Sequence, residues 1–179
     1  MSGIVFVDAN TEETPSTYPN EYVRAMSAGL KTLEVTIGNN HALTQQEWNA
    51  LLQAGEDQRN EDAAAREAAY YLQSGKSLAT KGQLSLTTHL LGDIPVIVLH
   101  ANYRRDISAI FDAGVQAGNG TKDERRGMIE FMHSCNEQEE RIQRKMLALS
   151  SKGKFEHVPD SGHQIHMVKP AVIVEAVRS

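Results

Sequence analysis

Two apolar runs restrict the fold of this chain more than any other feature of its sequence. "GIVFVDA" covers residues 3–9, and "DIPVIVLHA" covers residues 93–101. Continuous apolar runs of this length are typical of strands that are buried on both faces of a parallel sheet. The alternating segment "GKFEHVP" at residues 153–159 predicts a third strand.

Helical segments separate the predicted strands. The pattern predicts a helix over residues 20–33 and an Ala-rich helix over residues 60–75, with Gly75 as its stop. Capping boxes at "TQQE" (44–47) and "TKDE" (121–124) predict two more helix starts. Strands that alternate with helices predict an α/β fold, in which loops at the carboxyl ends of the strands build the functional site.

The length, net charge and cysteine content of the chain limit the classes of protein to which it can belong. A chain of 179 residues fits a single domain, and its net charge of −5 argues against a nucleic-acid partner. Cys135 is the only cysteine, so the sequence excludes an internal disulfide and favours a cytoplasmic, intracellular protein. Because no apolar stretch approaches the roughly 20 residues needed to span a bilayer, we expect no membrane association.

One histidine lies where catalytic groups are commonly found. In "VPDSGHQIHMVKP" (158–170), His163 follows a Ser-Gly turn after the third predicted strand, and Pro170 opens a last helix. His133 and His166 show no convincing metal-ligand spacing to His163, so we predict neither a metal nor a cofactor. The position of His163 after this turn indicates either a polar loop residue or one member of an acid–base pair.

Three segments together resemble the C-terminal half of an α/β-hydrolase: "GIVFVDA", "GDIPVIVLHA" and "FEHVPDSGHQIHMVKPAVIVEAV". The resemblance implies a partial α/β-hydrolase fold with a short, mostly parallel sheet. It further implies that residues 1–179 form a single truncated domain and that residues 36–90 form a helical cap or lid inserted in it.

The resemblance also implies roles for three side chains. His163 matches the catalytic base that follows the last strand of the family. Asp106, after the second predicted strand, is the favoured acid to orient this base, and Asp8, at the end of the first strand, is the alternative.

The family's nucleophile is missing from the sequence. No G-x-S-x-G motif occurs, so a Ser-His-Asp triad cannot be built from these residues. Three readings stay open. The chain is an enzyme that uses acid–base chemistry on a small organic molecule, by cyclisation, isomerisation, elimination or ester or lactone hydrolysis. It is a catalytically inactive binding module, or it is a fragment of an esterase whose serine lies upstream.

A further expectation concerns assembly. In the complete fold a nucleophile strand lies beside "GIVFVDA", and without it this strand presents an unpaired edge and apolar faces. We therefore expect an obligate homodimer, with the first strand or the lid helices at the interface.

Overall fold

Three parallel strands form the centre of the structure. The computed structural model describes residues 3–18, 20–85 and 89–179. Strands β1 (Ile4–Val7), β2 (Val96–Ala101) and β3 (Gly153–Val158) lie side by side in that order. All pairs are parallel, with Ile4 opposite Val96 and Val96 opposite Gly153. The predicted α/β class with a short parallel sheet is confirmed.

Helices fill the connections between the strands. After β1 come α1 (Thr14–Thr17), α2 (Asn20–Ser27), α3 (Thr32–Ile37), α4 (Gln45–Gly55) and α5 (Gln58–Lys81). After β2 come α6 (Tyr103–Gln116) and α7 (Lys122–Gln143), and after β3 come α8 (Ile165–Val168) and α9 (Pro170–Arg178). Short 3₁₀ helices cover Gln83–Ser85 and Arg144–Leu149. No helix in the described ranges is long and apolar enough to cross a membrane.

The central strand β2 is buried on both faces, as its apolar sequence predicts. Val96 and Val98 pack with Met146 on one face of the sheet, while Leu99 packs against Ile165 on the other. All four residues of β1, by contrast, are only half-buried. Within the described residues β1 pairs with β2 alone, so this strand is buried less than its composition predicts.

A second core lies between the helices. Met26 of α2 and Ile107 and Ile110 of α6 pack against Met128 and Phe131 of α7. Cys135 lies in the same cluster, where burial raises the pKa of its thiol. This cluster holds α6 and α7 in place, and each of these helices contributes side chains to the site described below.

Glycines explain two differences between the predicted and observed helices. The predicted helix over residues 20–33 is interrupted between α2 and α3, where Gly29 has a φ of +71°. Gly75 does not end its helix, which continues to Lys81 and stops at the left-handed Gly82. A Cβ atom at Gly75 would lie 2.8 Å from Cγ of Pro15, so this glycine allows α5 to approach α1. The capping boxes at Thr44 and Thr121 are both formed.

Helices α4 and α5 lie within the predicted insertion over residues 36–90, of which residues 86–88 fall outside the described part of the chain. Helix α5 packs on α1 and α4, and most of its surface is exposed. Its role as a lid stays a prediction.

Candidate active site

Asp8 lies at the carboxyl end of β1 in an uncommon backbone conformation. Its φ of +43° is in the left-handed region, which aspartate tolerates better than most residues. Its side chain is only 5% exposed. A buried carboxylate needs hydrogen-bond donors, and the structure supplies three of them.

These donors come from three distant parts of the chain. Oδ1 of Asp8 accepts hydrogen bonds from the backbone N–H of Ala101 at 3.0 Å and from Nε2 of Gln143 at 2.9 Å. Oδ2 lies 2.8 Å from Nδ1 of His163. Asp8 thus contacts the end of β2, the end of α7 and the turn after β3.

The hydrogen bonds determine the charge of this pair. Burial raises the pKa of Asp8, but the hydrogen bonds from His163, Gln143 and the Ala101 backbone together lower it by more. The pKa of Asp8 is therefore below its usual range. The hydrogen bond to Asp8 raises the pKa of His163, against the opposing effect of burial. The ionised carboxylate therefore makes the imidazole a stronger proton acceptor.

Nε2 of His163 is the free end of the pair. The His163 side chain is 47% exposed, and no hydrogen bond to Nε2 forms within the described ranges. With Nδ1 held by a carboxylate, the ring has a fixed orientation and presents Nε2 to an incoming molecule. This arrangement can accept a proton from a substrate and return it.

Asp106 lies beside the same turn but contacts a different atom. Its Oδ2 accepts a hydrogen bond from the backbone N–H of His163 at 2.8 Å. The sequence favoured Asp106 as the partner of the imidazole, whereas the structure places Asp8 there. The reason is that α6 begins at Tyr103, so Asp106 belongs to the first turn of a helix and not to a strand-end loop. Burial raises the pKa of Asp106, although the His163 N–H lowers it in part.

This contact explains why a glycine precedes the histidine. A Cβ atom at Gly162 would lie 1.9 Å from Oδ1 of Asp106, which is an impossible distance. The carboxylate of Asp106 therefore packs directly on the backbone of Gly162 and fixes the turn that presents His163.

Sequence reasoning missed two members of the site, Glu139 and Gln143. Both lie on α7 and are almost completely buried. Nε2 of Gln143 donates to Asp8 and also, at 3.2 Å, to Oε2 of Glu139. Burial raises the pKa of Glu139, although the hydrogen bond from Gln143 lowers it in part. The available signal was the charged Glu139 that interrupts an otherwise apolar stripe between Cys135 and Ile142.

Among the described residues, no hydroxyl or thiol is hydrogen-bonded to the histidine–carboxylate pair. Ser161, the serine closest in sequence, is buried, and its hydroxyl bonds to the carbonyl of Gly162 at 2.9 Å. In the described part of the chain, no hydroxyl or thiol hydrogen-bonds to the His163 ring, and no group of His, Cys, Asp and Glu side chains could hold a metal ion. The visible chemistry is therefore that of a histidine–carboxylate pair.

Comparison with known proteins supports the fold assignment. No protein-family model matches the chain, and no solved structure matches it. An AB hydrolase superfamily protein of Gibberella zeae is 25% identical over 183 aligned positions, which cover 98% of this chain and 55% of the relative. The chain thus spans about half the length of the curated relative it matches. The chain is therefore similar in sequence to an AB hydrolase superfamily protein, and its parallel α/β architecture agrees with that similarity.

Proposed function

We propose that this chain is an enzyme that acts on a small organic molecule through acid–base chemistry at His163. The observation that carries the proposal is the 2.8 Å contact between Nδ1 of His163 and the buried carboxylate of Asp8. A histidine acts as a general base when a buried acid holds one ring nitrogen and the other ring nitrogen is accessible to the substrate.

In the proposed mechanism, Nε2 of His163 accepts a proton from a C–H, from an O–H or from an attacking water. The ionised Asp8 stabilises the resulting imidazolium, and Nε2 then returns the proton to another atom of the substrate or to a leaving group. His163 gains no net proton over the cycle. Such a cycle suits cyclisation, isomerisation, elimination, or hydrolysis of an ester or lactone. A base placed in this way contributes about 10²–10⁴-fold in rate.

Asp106 acts as a positioning residue in this scheme. Its hydrogen bond to the backbone N–H of His163 fixes the turn. Gln143 has the same function on the other side, because it holds Oδ1 of Asp8.

The first test is replacement of His163. We expect His163→Ala to reduce turnover by about 10²–10⁴-fold in a panel of small esters, lactones and cyclisation precursors, while the protein stays folded by circular dichroism. His166→Ala is the matched control, since His166 is an exposed histidine three residues further along. Unchanged turnover in His163→Ala would contradict the proposal. Absence of turnover in the wild-type chain would favour the binding-module reading.

A second candidate is a Ser-His-Asp hydrolase whose serine lies outside this sequence. The observation that favours it is that the chain spans only 55% of its relative. Asp8 and His163 would then serve as the acid and base of a triad. A serine-directed fluorophosphonate should leave the 179-residue chain unlabelled. Stoichiometric labelling of one residue would show that this chain supplies its own nucleophile.

We also propose that the chain forms a homodimer. The half-buried strand β1 borders a cavity of about 400 Å³, whose lining includes Val5, Ile97 and Val177. Val177 is largely exposed on α9, next to this edge. An unpaired edge flanked by apolar side chains favours pairing with a second copy.

The test of the dimer is sedimentation velocity at micromolar concentration. We expect a dimer whose interface buries roughly 2,000 Å² in total, and we expect Val177→Lys to weaken it if α9 contributes. A stable monomer at these concentrations would contradict the proposal.

A further inference from the structure

A cleft lies at the carboxyl ends of β2 and β3, between the sheet and α7. Its volume is about 320 Å³, and its lining includes His100, Asn136, Glu137, Glu140 and His157. This volume is within the range of small-molecule sites. Neither His163 nor Asp8 lines the cleft, so it is distinct from the histidine–carboxylate pair.

His100 is a lining residue of this cleft and carries a buried polar atom. It lies opposite His157 across the paired strands and is only 3% exposed. Its Nε2 is buried and has no hydrogen-bond partner among the described residues. Because buried polar atoms in folded proteins are nearly always paired, an unpartnered nitrogen on a residue that lines a cleft points to a ligand.

The neighbouring rings pack closely and limit how His100 can move. The His100 ring lies 5.3 Å from that of His157 in an edge-to-face arrangement and 5.6 Å from that of Phe155. Burial lowers the pKa of His100, so the ring favours its neutral form. A neutral imidazole can accept a hydrogen bond through one of its nitrogens.

The charges of the lining select the type of ligand. Glu137 and Glu140 contribute carboxylates, whereas neither lysine nor arginine is among the lining residues. Arg144 lies nearby, but its Nε is bound to Oε1 of Glu140 at 2.6 Å and its guanidinium stacks 4.0 Å from the Phe155 ring centroid. Oε2 of Glu140 faces Nε2 of His157 at 3.6 Å. Such a lining repels anions and favours a positively charged donor.

An organic cation fits better than a metal ion. In the described part of the chain, no group of three or more His, Cys, Asp or Glu side chains is placed to hold a metal. An ammonium group needs only a hydrogen-bond acceptor, nearby carboxylates and aromatic faces. We propose that this cleft binds a small organic ammonium ligand, with Nε2 of His100 accepting an N–H and with Glu140 and Glu137 balancing the charge.

Nuclear magnetic resonance of the histidine rings tests the proposal directly. Butylammonium is the probe, and butyrate and 1-butanol are its anionic and neutral counterparts of similar size. We expect butylammonium to shift the imidazole signals of His100 and His157 in a saturable way, with at least tenfold weaker responses to the other two compounds. No saturable shift with butylammonium, or an equal response to butyrate, would overturn the proposal.

Variants of α7 provide the matched comparison. Glu140→Gln should weaken butylammonium binding at least threefold, whereas Glu130→Gln, on an exposed position of the same helix outside the cleft, should leave it unchanged. His100→Leu should abolish the response. If His100→Leu fails to fold, the Glu140→Gln result decides, and unchanged affinity in that variant would overturn the assignment. None of these measurements depends on turnover at His163.

Discussion

Two histidine–carboxylate pairs lie at the same end of this sheet, and they differ in their separation and in the burial of the acid. His163 and Asp8 approach to 2.8 Å, and the Asp8 side chain is almost fully buried. His157 and Glu140 are 3.6 Å apart, and about half of the His157 side chain and a third of the Glu140 side chain are exposed. The first pair is preorganised by protein donors, whereas solvent screens the second.

The partners of the two acids explain this difference. Asp8 accepts hydrogen bonds from the Ala101 backbone and from Gln143 in addition to the contact with His163. Glu140, by contrast, binds the exposed side chain of Arg144, whose Nε lies 2.6 Å from Oε1 and which follows four residues later in the chain. The comparison shows that buried donors around the acid, more than the histidine itself, distinguish a fixed pair from a loose one.

The largest effect should come from removing the buried acid. Asp8→Ala leaves the Ala101 N–H without its acceptor and leaves Gln143 with only its longer hydrogen bond to Glu139. We expect this variant to lower the free energy of unfolding by about 3 kcal/mol. Glu140→Ala should cost less than about 1 kcal/mol, as exposed ion pairs do. Urea denaturation measures both variants, and equal losses would show that burial does not separate the two pairs.

A smaller effect should come from the turn that carries His163. Gly162→Ala places a methyl group on the carboxylate of Asp106, and we expect a loss of about 1–3 kcal/mol, as in other overpacked sites. Asp106→Ala in the same chain should recover part of this loss, because it removes the clash. Thermal denaturation of the two single variants and the double variant measures the coupling, and strict additivity would contradict the proposed packing.

The smallest expected effect is on the pH dependence of the free energy of unfolding. The pKa of His163 is raised in the folded chain, so the pair with Asp8 contributes its full stability below the unfolded pKa of about 6.5 and loses it as the pH rises through the folded value. The lowered pKa of Asp8 has the opposite consequence, because its contribution is lost when the pH falls through the folded pKa.

Titration of the histidine ring signals by nuclear magnetic resonance checks this prediction. Asp8→Asn should lower the pKa of His163 and flatten the dependence of stability on pH above about 6.5. Asparagine retains the shape of aspartate and also tolerates the left-handed backbone of residue 8. An unchanged His163 titration would contradict the role of Asp8.

Local patterns predicted the parallel strands and two helix starts. The strand β3 begins where its alternation indicated and ends one residue earlier, at Val158. The capping boxes at Thr44 and Thr121 are formed because they depend only on neighbouring residues. Gly75 was misread because its function is a contact with Pro15, which lies far away in the sequence. A glycine that permits close packing looks the same in a sequence as one that ends a helix.

The site was harder to predict than the strands. The turn with His163 is a local pattern, but which carboxylate meets its ring depends on how α6 begins and on where β1 ends. Sequence spacing could place Asp106 near the turn, yet it could not assign this side chain to the backbone N–H of His163. Gln143 escaped notice because an amide carries no charge and belongs to no motif.

The hydrogen bonds of Asp8 also bear on how the chain folds. The three bonded partners of Asp8 are separated from it in the sequence by 93, 135 and 155 positions. Contacts of such long range form slowly, since the intervening chain must first be ordered. During synthesis Asp8 emerges 155 residues before its histidine partner. The pair therefore forms only when β1 and the turn after β3 have come together, and the titration of His163 reports on that long-range contact.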